Sequence, residues 1–156
     1  MFTKLKQEHA QIRRISKLLD DILDAPFDAP LGEVGDARAL LARAIHQHLV
    51  TENETLIRPL NGRRLADDIS KYHDIMRLTR DLRLRYSQHV GQWTLSTIER
   101  DRNGYAIAAR QLNAEMVAIM NREESEIFPA AEKLLAGRTI ARTAGFGKAS
   151  DGQSPP

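Results

Sequence analysis

The sequence predicts an all-α protein, an up-down-up-down four-helix bundle, on three observations. Four segments carry apolar residues at spacings of three and four, which is the pattern of an amphipathic helix. Their connections are mostly short, and short connections favour antiparallel neighbours. No segment alternates apolar and polar residues as a half-buried strand does. The length of 156 residues suits one domain. We therefore expect a bundle over residues 1–136 and a flexible C-terminal tail over 137–156.

The first two helices are separated by a loop that contains prolines. Residues 3–24 form the first apolar stripe, and Pro26 and Pro30 stop the helix because proline cannot continue it. We expect the second helix to begin at an Asp36 N-cap and to stop near Pro59. The first stripe consists of Leu5, His9, Ile12, Ile15, Leu19 and Ile22.

The third and fourth helices follow the turn signal of Asn61 and Gly62. The third stripe runs from Leu65 to Tyr86 at spacings of three and four. Ser96 to Glu99 fits a capping box, but Asn103 and Gly104 follow closely. We expect a short turn there, and then the main fourth helix from about Asp101–Asn103 to Gly137.

Composition excludes several classes of function. Lysine and arginine number 23 against 21 acidic residues, a net charge of +2, and the basic residues are spread along the chain. A nucleic-acid-binding surface would need them clustered. The chain has no cysteine, which excludes disulfides and thiolate metal sites. The polar N-terminus and the lack of a long apolar run predict no membrane segment and a cytoplasmic location.

Five polar residues fall on or beside the apolar stripes. His48 and Glu52 lie four residues apart and therefore on one helix face, which is the apolar one. In an antiparallel bundle, His9, His73 and Glu123 lie at the same end, within a turn or two of that pair. Buried imidazoles and carboxylates are costly unless each has a partner. The partner is either a hydrogen-bonding side chain or a metal ion.

The two kinds of partner lead to different functions. Imidazoles and carboxylates without sulfur suit iron, manganese or zinc, and carboxylates from two helices can bridge two metals. An iron site with an open position would bind dioxygen, nitric oxide or peroxide. Alternatively, the same residues form a hydrogen-bond network in a metal-free bundle that serves as a protein-interaction domain. No nucleophile–base pair or phosphate loop is visible, so we expect no enzyme beyond weak peroxide chemistry at iron.

Three segments resemble the hemerythrin-like (HHE cation-binding) domains, in particular their divergent bacterial members. The segment around His9 is similar to the family's first-helix histidine motif. His48 and Glu52, followed by Pro59, resemble its His-x-x-x-Glu motif. Glu123 to Pro129 is similar to its closing Glu-Glu-x-x-Leu-Phe-Pro motif. The resemblance covers roughly residues 3 to 136.

The resemblance implies a bundle around a pair of non-haem irons. Glu52 and Glu123 match the bridging carboxylates. His9 and His48 match the ligands of one iron, and His73 matches the first of two third-helix ligands of the other.

The sequence departs from the family pattern at the second iron. Ile119 stands where the family has a fourth-helix histidine, and Arg77 stands where it has the second third-helix histidine. The resemblance therefore implies about one metal, most simply iron, in a module that binds or senses oxygen or a related redox ligand. Such a sensor would need a partner protein to report its signal.

Overall fold

The computed structural model describes residues 1–144, with side chains for residues 1–137. Every regular element in this part of the chain is helical, which confirms the predicted all-α class. Two π-helical segments join successive α-helices end to end, Asn53–Ile57 between α2 and α3 and Glu123–Ile127 between α6 and α7. The α-helices are α1 (Thr3–Ile22), α2 (Leu31–Glu52), α3 (Arg58–Gly62), α4 (Tyr72–Gln92), α5 (Leu95–Arg100), α6 (Arg102–Arg122) and α7 (Phe128–Ala144). The bundle thus has four long rods. The first is α1, the second is α2 continued by α3, the third is α4, and the fourth is α6 continued by α7.

A layer of buried polar side chains separates two apolar clusters along the bundle. On α1, Leu5 belongs to one cluster and Ile12 to the other, and His9 lies between them. The second rod repeats this order with Leu41, His48 and Leu56, and the fourth with Met120, Glu123 and Ile127. The polar layer therefore has apolar packing on both sides, and water is excluded from it.

Each π segment coincides with a four-residue repeat of buried residues that runs past a proline, Pro59 or Pro129. Four residues turn an ideal α-helix by about 400°, so residues four apart drift by about 40° per step. The wider π turn removes this drift, and it also makes room for a proline ring that would clash with the preceding turn. Both segments begin at or next to a buried glutamate of the polar layer. The repeats are His48, Glu52, Leu56 and Leu60 before and after the first segment, and Glu123, Ile127, Ala131 and Leu135 through the second.

Two helices begin at positions that differ from the prediction. Helix α2 begins at Leu31, directly after the loop, and Asp36 lies inside it rather than at its N-cap. Helix α4 begins only at Tyr72, because Lys71 adopts a left-handed conformation with φ of 68°. The apolar residues from Leu65 onwards instead pack from a short 3-10 turn.

The fourth rod begins as predicted and ends later. A short helix comes first, and α6 follows Asp101, whose carboxylate accepts a hydrogen bond of 2.9 Å from the Gly104 N–H. Helix α7 continues through Gly137 to Ala144, so the predicted boundary of the bundle falls inside a helix. Residues 145–156 of the predicted tail lie outside the described part. No helix up to Ala144 combines the length and apolar character needed to cross a bilayer.

Candidate metal centre

Three rods each contribute one potential metal ligand to the polar layer. His9 Nε2 lies 3.3 Å from His48 Nε2 and 3.3 Å from the Glu123 carboxylate. Potential ligand atoms of all three residues lie within 4.8 Å of one another, and all three side chains are buried. The helices that hold them are fixed by the apolar clusters above and below. This grouping can therefore form without a metal ion to draw the rods together.

The second nitrogen of His9 faces a carboxylate. Nδ1 lies 2.8 Å from Glu124 Oε1, and Arg13 donates a hydrogen bond of 2.9 Å to the same oxygen. Hydrogen bonding to the Arg13 guanidinium and to His9 keeps the pKa of Glu124 below its ordinary value, although burial opposes this. Ionised Glu124 accepts a hydrogen bond from His9 Nδ1–H, which in the neutral imidazole leaves the lone pair on Nε2.

The second nitrogen of His48 faces another carboxylate. Nδ1 lies 3.6 Å from Glu8 Oε2, and neither atom has a hydrogen-bond partner in the part of the chain that the structure describes. The other oxygen of Glu8 accepts a hydrogen bond of 2.8 Å from the Thr51 hydroxyl. Sequence analysis missed Glu8 and Thr51 because neither lies on an apolar stripe. The only signal was an acidic residue directly before His9.

With the carboxylates ionised and both imidazoles neutral, no placement of the protons satisfies this layer. The His9 Nε2 lone pair faces a Glu123 oxygen, and both groups are acceptors. A proton on His48 Nε2 could form a hydrogen bond to His9 Nε2, but it would leave His48 Nδ1 and Glu8 as two facing acceptors. A cation between the Nε2 atoms and Glu123 removes both conflicts, because each imidazole then carries its proton on Nδ1, towards its carboxylate. The residues present therefore fit a metal ion.

Glu52 adds an unpartnered buried carboxylate to the same layer. It lies one turn after His48, and its Oε1 atom has no hydrogen-bond partner among the described residues. Burial, reinforced by the charge of Glu123, raises the pKa of Glu52 to about 8, and Arg83 opposes the shift. A nearby cation would favour the ionised form. Glu52 does not belong to the tight group of three, and it lies beside that group.

Burial also keeps His48 in its metal-binding form. Desolvation, with a smaller contribution from His9, lowers the pKa of His48 to about 3. The imidazole is therefore neutral at physiological pH, and only neutral imidazole has a lone pair for a metal.

The metal-free protein should lose stability as the pH rises, because of Glu52. In the folded state this carboxyl keeps its proton up to about pH 8, whereas its ordinary pKa is 4.5. Its contribution to the free energy of unfolding is thus complete below pH 4.5 and is lost as the pH rises towards 8. The free energy of unfolding should fall by about 1.4 kcal/mol per pH unit. The ordinary pKa of His48 is 6.5, so its opposite contribution from the unfolded state fades above pH 7. Urea unfolding between pH 7 and 8 with chelator present therefore reports mainly on Glu52.

Glu52→Gln should flatten this pH dependence, because the amide does not titrate. Glu54→Gln is the matched control, since Glu54 is exposed on the next turn. It should keep the slope of the parent protein. Equal slopes for the parent and Glu52→Gln would mean that Glu52 is ionised in the folded state.

The structure does not bring His73 into the layer, contrary to the expectation that it shares the level of the other four. Its side chain is 69% exposed, and Nε2 lies 2.7 Å from Asp67. The reason is the late start of α4, which places His73 in the first turn, next to the 3-10 turn that carries Asp67. Arg77, one turn later, is also exposed and lies 3.8 Å from Asp74. Its charge therefore points away from the centre.

The side of the layer opposite His9 is apolar. Ile119 packs against the core, one turn before Glu123. The Thr79 hydroxyl of α4 lies 3.3 Å from Glu123 Oε1 and 3.0 Å from the Ile75 carbonyl oxygen of its own helix, and it can donate its hydrogen bond to either. No imidazole among the described residues faces Glu123 from this side, so the geometry supports one complete set of ligands.

Comparison with known proteins gives one match. The family model described as the hemerythrin HHE cation binding domain matches residues 1–131. This range includes all five residues that the sequence analysis selected. No curated protein and no solved structure matches the chain.

Proposed function

Because the chain belongs to the hemerythrin HHE cation-binding domain family, we propose that it binds about one iron ion per chain. His9, His48 and Glu123 would hold the ion, and Glu52 is the fourth ligand. The observation that carries the proposal is the set of facing acceptors around the two neutral imidazoles, which a cation between the Nε2 atoms and Glu123 satisfies. His73 is not part of this proposed ligand set.

Family membership, and not the donor set, favours iron over the other ions that suit the site. Two imidazoles and two carboxylates without sulfur suit iron, manganese or zinc. Family membership adds the preference for iron. Zinc and manganese are therefore the competitors that a metal analysis has to distinguish.

We propose that the module binds or senses oxygen or a related redox ligand and is not an enzyme. Iron with an open coordination position supplies affinity for dioxygen, nitric oxide or peroxide. The residues of the chain hold the ion, orient the imidazoles through Glu8 and Glu124, and exclude water through the two apolar clusters. A partner protein would read the state of the site. A cytoplasmic location likewise remains a prediction, to be checked by cell fractionation.

Metal analysis and proton release test the proposal together. Protein purified without a metal-binding tag should contain, or take up, about one iron per chain. Uptake at pH 7 should release close to one proton from Glu52, whose pKa is about 8, and fewer at pH 9, where that group is already ionised. A pH indicator dye in weak buffer measures the release.

Glu52→Gln is the control for the proton count, because it has no carboxyl proton to release. It should bind iron more weakly, and any proton release should be much smaller. If the parent protein contains no metal and takes up none, the iron proposal is wrong. The polar layer would then be a hydrogen-bond network in an interaction domain.

A further inference from the structure

A cavity of about 160 Å³ adjoins the polar layer on the side away from His9 Nδ1 and Glu124. It lies between α1, α2, α4 and α6, and its wall is almost entirely apolar. His48, Thr79 and Glu123 form its polar end. The other lining residues are Ile12, Ile45, Leu49, Leu82, Arg83, Tyr86, Leu112, Met116, Ile119 and Met120.

The volume is far larger than a diatomic ligand needs. An apolar cavity of about 150 Å³ in a protein interior stays dry and takes up benzene. This cavity therefore has room for a body of six to eight carbon atoms. An empty space of this size lowers stability, because its lining atoms lose packing contacts.

The cavity opens along the looser seam of the bundle. Helix α2 packs mainly on α1, and α4 packs mainly on α6, so α2 and α4 approach each other less closely than either approaches its main partner. Ile45 and Leu49 on α2 and Tyr86 on α4 are half-buried on this seam. A ligand can therefore enter between two helices without unfolding either.

A cationic side chain, that of Arg83, lies at this opening. Arg83 is exposed, and its guanidinium makes no hydrogen bond or ion pair within the described part of the chain. Its only identified electrostatic partner is Glu52, through a longer-range interaction. A guanidinium binds a carboxylate through two parallel hydrogen bonds, so it is suited to hold an acid group at the mouth.

We propose that this cavity binds a small monocarboxylic acid of six to eight carbon atoms in all. The body lies among Leu82, Leu112 and Met116, and the carboxylate bonds Arg83 at the seam. The inference does not depend on a bound metal, because neither the apolar wall nor Arg83 belongs to the proposed ligand set.

Isothermal titration with hexanoate and with hexan-1-ol tests the proposal, on metal-free and on iron-loaded protein. Hexanoate should bind both forms, and more tightly than the alcohol. Arg83→Gln should weaken hexanoate binding about tenfold and change alcohol binding less than twofold. Arg43→Gln, which removes another exposed arginine from the surface of α2, should change neither. Leu112→Phe should abolish binding of both probes by filling the cavity.

Three results would overturn the proposal. The first is no binding of either probe at millimolar concentration. The second is hexanoate binding that Arg83→Gln and a folded Leu112→Phe both leave unchanged, which would place the acid elsewhere. The third is hexanoate binding that requires iron and is unchanged in Arg83→Gln, which would mean that the carboxylate of hexanoate is a metal ligand. Failure of iron uptake with hexanoate binding intact would reject the metal proposal alone.

Discussion

His48→Ala is expected to abolish the stabilisation that iron gives to the folded protein. An ion that binds only the folded state adds about 2.7 kcal/mol when its free concentration is 100-fold above Kd. For a domain of this size, that corresponds to a rise in Tm of about 5–11 °C. Without His48, the buried group loses one of its two imidazoles, and the remaining donors hold iron far more weakly. Calorimetric melts with ferrous iron and with chelator, under anaerobic conditions, measure the difference.

His46→Ala is the matched control for this experiment. His46 lies two residues earlier on the same helix and is exposed, so its imidazole points away from the polar layer. The variant should keep the full iron-dependent rise in Tm. If the two variants behave alike, either the ion binds elsewhere or the rise comes from unspecific binding to surface histidines.

The bundle and its buried polar layer could be predicted from sequence because both follow from periodicity. Spacings of three and four place His9 and His48 on core-facing stripes, and antiparallel order brings those stripes to one level. Neither inference needs an exact helix boundary. A shift of one or two residues at a helix end leaves the inner face of the helix unchanged.

His73 shows where this reasoning fails. Its position depends on where α4 begins, and the left-handed Lys71 sets that point. A stripe continued across residues 65–72 looks helical in sequence, since Leu65, Ile69 and Tyr72 are all buried. Leu65 and Ile69 flank the 3-10 turn before the helix, and only Tyr72 belongs to α4. Residues at a helix start can therefore share the period of the helix without sharing its geometry.

Neither the cavity nor the carboxylates that face the imidazoles could be predicted from the sequence, for other reasons. Glu8 and Glu124 each follow or precede a stripe residue by one position, so they lie at the edge of the stripe, where burial depends on how closely two helices pack. The volume of the cavity depends on interhelical distances, which no periodicity fixes. The π segments, in contrast, had a readable signal in the four-residue repeats that precede Pro59 and Pro129.

Glu8→Gln is expected to weaken iron binding by about 10- to 100-fold, although Glu8 is not a proposed ligand. Carboxylates that hold the outer N–H of a metal-bound imidazole orient the ring and raise its basicity, and their loss typically costs this much affinity. Glu8 Oε2 lies 3.6 Å from His48 Nδ1, so a small movement of either side chain makes the hydrogen bond. Competition with a chelator of known affinity measures the change. Thr51→Val should give a smaller loss, because it removes only the hydroxyl that holds Glu8.

The stability of the metal-free protein separates this positioning role from a merely structural one. Without metal, Glu8 Oε2 is a buried acceptor with no partner, so the uncharged amide should leave the metal-free Tm unchanged or higher. A structural role would lower it instead. With zinc as a diamagnetic probe, nuclear magnetic resonance of His48 should show a slowly exchanging proton on Nδ1 in the parent protein, and faster exchange of that proton with water in Glu8→Gln. Glu54→Gln, which removes an exposed carboxylate, should match the parent in all three measurements. Unchanged iron affinity in Glu8→Gln would mean that packing alone orients His48 and that the carboxylate behind it is incidental.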